Sequence, residues 1–535
     1  MKKNTERKIH LNTFFRKPFA AMTLVTAMTL PMNSMSSAQA QTVNSRTALQ
    51  NKINTTSGGT ITIENIGFSN TEHAIIVGGS SNNPNITIKG SNGVLDTKTE
   101  SFIQSILSNV TNVSQLNNFS VDTSLLTHIS GNNNTRNNSS ISNNVAGSFY
   151  TQFKWFSTSD TAPNNGNGLG FENILFENVT ISYDSTPSGN ERKFVNGLIG
   201  NSYIAGSTSS NQLIPGSGDY GTSLGKLTGN AFSNIDVILK GTKDTNYLAG
   251  GGIIGVRNTG EYAKGSTSHK NQQNSLSAEM DIVSGNYFHD INITTTDTIN
   301  KTLSYNATTS AYIEGGGIIG VNGVSSPDTS IGHALLKGLE KNAFTDIHIL
   351  SNDVLLGGGI VGVNNNSKDT TGTISSNPTY AKMEYVTGNI FGNGIDKSIT
   401  VDIGYSLRGG GVIGLNGLGS AQIDLPKLNE NVFAGIDVTA GTYIKGGGIV
   451  GLQNNDDDYN KDTTSKDTTS IADFEAAYVN ATDISKNVFV NLNVQVGNYA
   501  DGSSQYLQGG GVIGLRSNKG VVILKNLKEN VFKDI

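Results

Sequence analysis

The chain has no cysteine, a single tryptophan (Trp155) and only 9 prolines in 535 residues. Without cysteine a disulfide framework is excluded, so stability must come from packing and backbone pairing. After the first forty residues no run approaches the ~18 apolar residues that a membrane helix needs. Charge is scarce as well: charged residues make up 15% and the formal net charge is −5. A mildly acidic chain argues against nucleic acid as a partner. Familiar catalytic signatures are missing. There is no H-E-x-x-H and no G-x-S-x-G, the seven histidines are scattered, and no glycine triplet is followed by Lys-Ser or Lys-Thr. Hydrophobic residues reach only 35%, below a globular norm of roughly 45–50% on a scale that includes glycine. A thin core repeated many times explains this better than one large core, and the regular patterning described next argues against disorder.

What the chain has in quantity is glycine, 64 residues, together with Asn, Ser and Thr. Much of that glycine belongs to a repeat. Leu428 to Val438 reads L-x-x-N-x-F-x-x-I-x-V, and Gly446 to Leu452 reads G-G-G-I-V-G-L. The first half recurs at Asn230/Phe232, Asn286/Phe288, Asn342/Phe344, Asn389/Phe391, Asn431/Phe433, Asn487/Phe489 and Asn530/Phe532. Glycine triplets begin at Gly250, Gly315, Gly357, Gly409, Gly446 and Gly509, and Asn196 to Gly200 reads as a decayed copy. The copy at Phe391 departs, with Ile395 one residue late.

After each Phe the pattern alternates: Ile235, Val237 and Leu239 on one face, Asp236 on the other; Ile436 and Val438 flank Asp437. Period two with one apolar face predicts half-buried strands. The step of three from Phe to Ile predicts a bend or bulge that keeps both side chains inward, and the Asn before each Phe suits a tight corner, since Asn tolerates the left-handed region and bonds to its own backbone. The glycine triplets fit a corner where φ is positive or chains approach closely. Fixed self-similarity of this kind predicts a solenoid whose insertions leave as loops. The expected fold is all-β, a right-handed parallel β-helix with two short coils of roughly 20–25 residues per repeat, a rod on the order of 100 Å. Leucine-rich repeats are the nearest rival, but they need L-x-x-L-x-L before the Asn.

Taken in order, residues 1–40 read as a secretory signal peptide. Lys2, Lys3, Arg7, Lys8, Arg16 and Lys17 precede a short apolar core, Phe19 to Leu30, and Ala38-Gln39-Ala40 is a small-x-small cleavage site. Its loss removes five net positive charges and takes the chain from −5 to −10. An exported chain without disulfides fits a bacterial source. Residues 41–100 read as an N-terminal cap, around Thr47 to Ile53, and first coils, with a first alternating strand from Gly58 to Ile66 followed at coil-like spacing by Ile86 to Gly90 and Gly93 to Asp96. Residues 101–168 read as an irregular Asn/Ser-rich insertion containing an aromatic cluster, Phe149, Tyr150, Phe153, Trp155 and Phe156. That cluster fits a strand packed on the solenoid, or an exposed contact patch. Residues 169–535 read as the repetitive β-helix, stopping inside a copy, as expected of a fragment or truncated product. Asp456-Asp457-Asp458 lacks the spacing of a calcium loop and reads as a solvated acidic loop. No catalytic, cofactor-binding or metal-binding residues are assigned.

The signal, the absent cysteine and the Asn/Gly/Ser/Thr-rich repeat, with turns such as Asn230-Ala231-Phe232, together resemble the passenger region of bacterial autotransporters of the type V secretion system. Chlamydial polymorphic membrane proteins share some of the grammar but use Gly-Gly-Ala-Ile and Phe-x-x-Asn. The autotransporter resemblance implies a cell-surface or extracellular location and anchoring in the outer membrane through a C-terminal barrel of about a dozen strands, which this chain does not contain. It implies a β-helical stalk acting in adhesion, aggregation or biofilm contact, with surface molecules or glycans of host or neighbouring cells, or further copies of the same chain, as partners. The alternative is a β-helical polysaccharide lyase or hydrolase, which requires carboxylates converging in one groove. Asp236 and Asp437 sit outward at equivalent positions, but Asn292 and His348 occupy the same place in copies between them, as on a generic polar face.

Overall fold

The computed structural model describes residues 43–535 except 57, 69–74, 78–84, 132–133, 138–149, 153–155, 159–167, 186–191, 196, 205–219, 242–245, 260–273, 296–310, 325–329, 366–379, 395–396, 419–420, 456–477, 498–504 and 518–520. Residues 1–40, expected to be a signal peptide, and the Asp456–Asp458 run lie outside the described residues. Every strand pairing in the body is parallel, and the strands form four long sheets. We number the sheets I to IV in the order the chain visits them. One circuit runs, for example, Ser330–Glu340 (I), Ala343–Ser351 (II), Val354–Gly358 (III) and Val361–Asn365 (IV), and then returns to sheet I. This is a parallel β-helix.

The coil size differs from the sequence expectation. A whole repeat makes one four-sided coil rather than two short ones: equivalent asparagines in adjacent coils are 42 to 56 residues apart. Two coils per repeat would have needed a second complete hydrophobic alternation inside each glycine half, and each half supplies only two short strands. The described strands make nine coils and the start of a tenth. At about 4.8 Å per step they stack over roughly 43 Å, not 100 Å.

Two corners of the coil are nearly constant. Between sheets I and II there are always two residues from the coil of Tyr220–Thr228 onward. The first is left-handed, with φ from +54° at Lys341 to +65° at Gly388, and the second is the Asn. The left-handed residue is therefore the one before the Asn, and the Asn has another task. It is fully buried at Asn230, Asn286, Asn342, Asn389, Asn431 and Asn487 and forms a ladder along the stack. Each Oδ1 accepts from the backbone N–H and from Nδ2 of the preceding Asn (Asn286 on Asn342, 2.9 and 3.0 Å). Nδ2 also donates to the carbonyl of the aliphatic residue one coil earlier (Asn286 to Leu227, 2.9 Å). A buried corner with unpaired amides would be costly, and one asparagine per coil satisfies it.

The expected bend is present, and neighbouring strands keep register across it. The residue before each inward aliphatic is left-handed: Asn234, Asp290, Asp346, Gly435 and Asn491, with φ +52° to +72°. Phe and Ile thus both face the core. The phenylalanines Phe176, Phe232, Phe288, Phe344, Phe391, Phe433, Phe489 and Phe532 stack with centroids 4.7–5.0 Å apart and planes within 7°. In the copy at Phe391 the equivalent of Ile347 is Ile399, not Ile395, so this coil carries an extra loop.

The other near-constant corner is the glycine triplet between sheets III and IV. Its first glycine is left-handed, from +96° at Gly250 to +120° at Gly409. The second and third are fixed by crowding instead. A Cβ on Gly447 would strike the carbonyl of Val450, and one on Gly317 would meet Ile349 of sheet II. The turn thus points into the core. A Cβ on Gly451 would strike the carbonyl of Gly409 in sheet III, so the backbones of III and IV lie against each other.

The N-terminal end is covered by α1 (Arg46–Thr55), capped by the Ser45 side chain, with Leu49 and Ile53 buried against the first coils. The stretch Thr47 to Ile53 lies in this helix. In contrast, Gly93 to Asp96 is not a strand. It begins an insertion, residues 91–126, that replaces the short I–II corner in the second coil. There the chain forms α2 (Thr99–Ser108) and a 3-10 helix, Val110–Asn118, before Thr127–Gly131 rejoins sheet II. The first part of the stretch expected to be irregular is therefore helical, because Ile103, Ile106 and Leu116 find an apolar surface to cover. Of the aromatic segment, Tyr150–Gln152 lies in sheet III and Phe156–Thr158 in sheet IV; its side chains lie outside the described residues.

Candidate functional site

Polar side chains project from the outer face of sheet II, where strand alternation puts every second residue outside. In register across the coils stand Asp236, Asn292, His348, Thr400, Asp437 and Asn493. Most of this column is a hydrogen-bonded surface ladder. Asn292 Nδ2 donates to Asp236 Oδ1 at 2.9 Å, and Asn493 Nδ2 donates to Asp437 Oδ1 at 2.7 Å. Asp236 and Asp437, equivalent in sequence, are thus four coils apart and do not converge.

The structure adds Asp402, which the sequence reading left out. It stands one coil before Asp437 and two residues further along the strand, on the same face. Strand spacing and rise place the two positions about 8 Å apart. Asp402 is half-buried, and its carboxyl is pushed up to about 6, first by burial and then by the Asp437 charge. Asp437 itself is held by Asn493 on one oxygen and faces Lys397 Nζ at 3.5 Å on the other. The result is a carboxylic acid able to carry a proton near neutral pH beside a charged carboxylate, a combination that can donate and accept protons. A signal for Asp402 was present: Ile399, Val401 and Ile403 alternate around it, once the coil is aligned on Ile399. Among the described residues no group of three or more His, Asp or Glu side chains could hold a metal ion.

A second polar system is enclosed between sheets III and IV. Arg257, Asn322, Asn364, Asn416 and Gln453 occupy one register column of sheet IV and are all buried. Asn322 Nδ2 donates to Glu314 Oε2 of sheet III at 3.0 Å, Asn364 to Asn322 at 2.8 Å and Asn416 to Asn364 at 2.7 Å. This seam closes the infolded turn. The sheet IV side chains of this column are buried, and only Glu314 is partly exposed.

The two near-constant corners contrast with the other two. The II–III connection spans two residues between Ser351 and Val354 but 16 between Thr294 and Ala311. The IV–I connection spans three residues between Leu418 and Gln422 but 14 between Thr259 and Asn274, and 22 between Asn455 and Tyr478. Apart from the 91–126 insertion in the second coil and the added residues after Phe391, length variation lies at these two edges. Among the described residues no helix is long and apolar enough to cross a membrane. No family model, no curated protein and no solved structure matches this chain.

Proposed function

We propose that this chain is an exported bacterial surface protein whose β-helical body carries contact loops, acting in adhesion, aggregation or biofilm contact in the manner of an autotransporter passenger. The observation that carries the reading is the contrast between corners. From the fourth coil onward the Asn and glycine corners nearly hold their length, while the II–III and IV–I connections range from two residues to 22. A scaffold under packing constraint keeps its corners short, and segments free of that constraint can vary and carry contacts. The test replaces residues 366–379 and 456–477 by three-residue links like the one between Leu418 and Gln422. The shortened protein is expected to unfold at the wild-type urea midpoint while cell aggregation and surface attachment are lost. Attachment at wild-type strength after both replacements would remove the reading.

The enzymatic reading keeps a specific motive in Asp402 and Asp437. They are neighbours on one outward face, and glycoside hydrolysis by acid and base needs two carboxyls flanking one bond. Incubation with pectic and other acidic glycans decides it: new chain ends that vanish in Asp402→Asn favour the enzyme, and no new ends favour the scaffold.

A further inference from the structure

The outer face of sheet II carries an apolar stripe made by the residue before each Phe: Ala231, Tyr287, Ala343, Ile390, Val432 and Val488. In an isolated solenoid this stripe would face water. Here the helical hairpin of α2 and Val110–Asn118 belongs to the same apolar cluster, through Ile103, Ile106, Leu116 and Phe119. Its contacts step along the stack. Leu95 reaches Gly229 in the fourth coil, and the Phe119 ring meets that of Tyr287 in the fifth at 6.3 Å. Thr99 Oγ1 donates to the Lys341 carbonyl in the sixth at 2.9 Å, and Glu100 accepts from Lys341 Nζ at 2.9 Å. Asn117, Val113 and Leu116 lie against Gly394 in the seventh, within the extra loop of the irregular copy.

We infer that this hairpin is a clasp that docks last and makes the coils it covers unfold together. The argument is topological. Thr99 and Lys341 are 242 residues apart in the chain, and each coil otherwise touches its neighbours alone, so a solenoid can peel open from an end. The clasp is rooted in the second coil and touches the fourth through the seventh directly. Its surface on sheet II does not exist until those coils have stacked, and bringing its contacts together earlier would cost loop-closure entropy with nothing yet formed to offset it. Once docked, it ties the fraying of one coil to the loss of contacts on several others. It also covers an apolar stripe that would otherwise promote association.

The experiment uses the full chain with Leu116→Ala, and Val113→Ala as a milder variant. An element that docks after the rate-limiting step leaves the refolding rate nearly untouched and accelerates unfolding. Leu116→Ala is expected to refold within about twofold of wild type and to unfold roughly 10- to 100-fold faster. Amide exchange should quicken together in the fourth to seventh coils and not only in residues 95–126. If Leu116→Ala does not fold, Val113→Ala should show the same division at smaller amplitude. A refolding rate that falls as much as the unfolding rate rises would place the clasp early and overturn the order. Faster exchange limited to the hairpin would overturn the coupling.

Discussion

Asn431 offers the sharpest test of what holds the coils in register. Its side chain makes five hydrogen bonds. Oδ1 accepts from Asn389 N–H at 3.0 Å and Asn389 Nδ2 at 2.9 Å, while Nδ2 donates to Val386 O, Asn429 O and Asn487 Oδ1, each at 3.0 Å. Asn431→Leu keeps the volume and removes all five. The N–H of the fully buried Asn389 is then stranded, at roughly 1–3 kcal/mol, and the remaining bonds add roughly 0.5–1.5 kcal/mol each, in part overlapping. We expect a loss of about 4 kcal/mol in urea unfolding followed by far-ultraviolet circular dichroism. Asn431→Asp sharpens the test. Its second oxygen would face three acceptors where Nδ2 now donates, so the carboxylate form is disfavoured and the folded pKa must rise above the unfolded value of about 3.9. The folded state then binds more protons than the unfolded one, and stability falls as pH rises through that window. The aspartate variant should therefore be closer to wild type at pH 4 than at pH 8. A cost below about 1 kcal/mol for the leucine variant, or no pH dependence for the aspartate, would refute the ladder as a source of stability.

Phe433→Ala removes a ring stacked 4.9 Å from Phe391 and 4.7 Å from Phe489, and should cost about 3–5 kcal/mol by the urea midpoint; a cost near 1 kcal/mol would mean that the stack contributes little. Gly447→Ala should destabilise strongly, because the added carbon meets the Val450 carbonyl, whereas Gly511→Ala meets nothing within 4 Å and should be neutral; equal thermal midpoints for the two variants would contradict the crowding argument. Asp402, with a folded pKa of about 6, weighs against folding increasingly as pH rises from about 4 to 6, since its charged form is the one burial disfavours. Asp402→Asn should accordingly gain about 1–2 kcal/mol at pH 8, after allowance for solvent screening, and nothing at pH 3.5; a gain of equal size at both pH values would sink this assignment.

The parts of the fold that were legible in the sequence are those imposed at every coil. Ile235/Val237 and Ile436/Val438 alternate because one face of sheet II is buried at each turn of the chain, and the Phe-x-x-Ile step showed the bend because only a break in the alternation turns both side chains inward. The role of the Asn was misassigned for a physical reason. Asparagine tolerates left-handed backbone and also supplies donors and an acceptor, and a sequence shows that both are possible without saying which is used. The decision lay in the preceding position, where Gly229, Gly285 and Gly388 alternate with Lys341, Glu430 and Lys486, a mixture that hides the left-handed corner. The same applies to the triplets: only the first glycine is chosen for its φ, while Gly447 and Gly451 are chosen by backbone contacts between sheets III and IV that periodicity does not carry.

What was not legible came from contacts made once. The clasp is a single insertion, and its apolar residues, Ile103, Ile106 and Leu116, match no repeat because their partners are spread over distant coils. Its trace in the repeat was the irregular copy. The five added positions after Phe391 looked like decay, yet Gly394 among them lies against Val113 and Leu116. Asp402 follows from the same departure. Aligned on Ile395 it falls four residues too far along the strand; aligned on Ile399 it stands beside Asp437. A break in a strict repeat thus records where a coil answers to something other than its two neighbours. In this chain one break serves both the lateral clasp and the unusual carboxyl, so the coil from Tyr380 to Leu418 is where stability and surface chemistry meet.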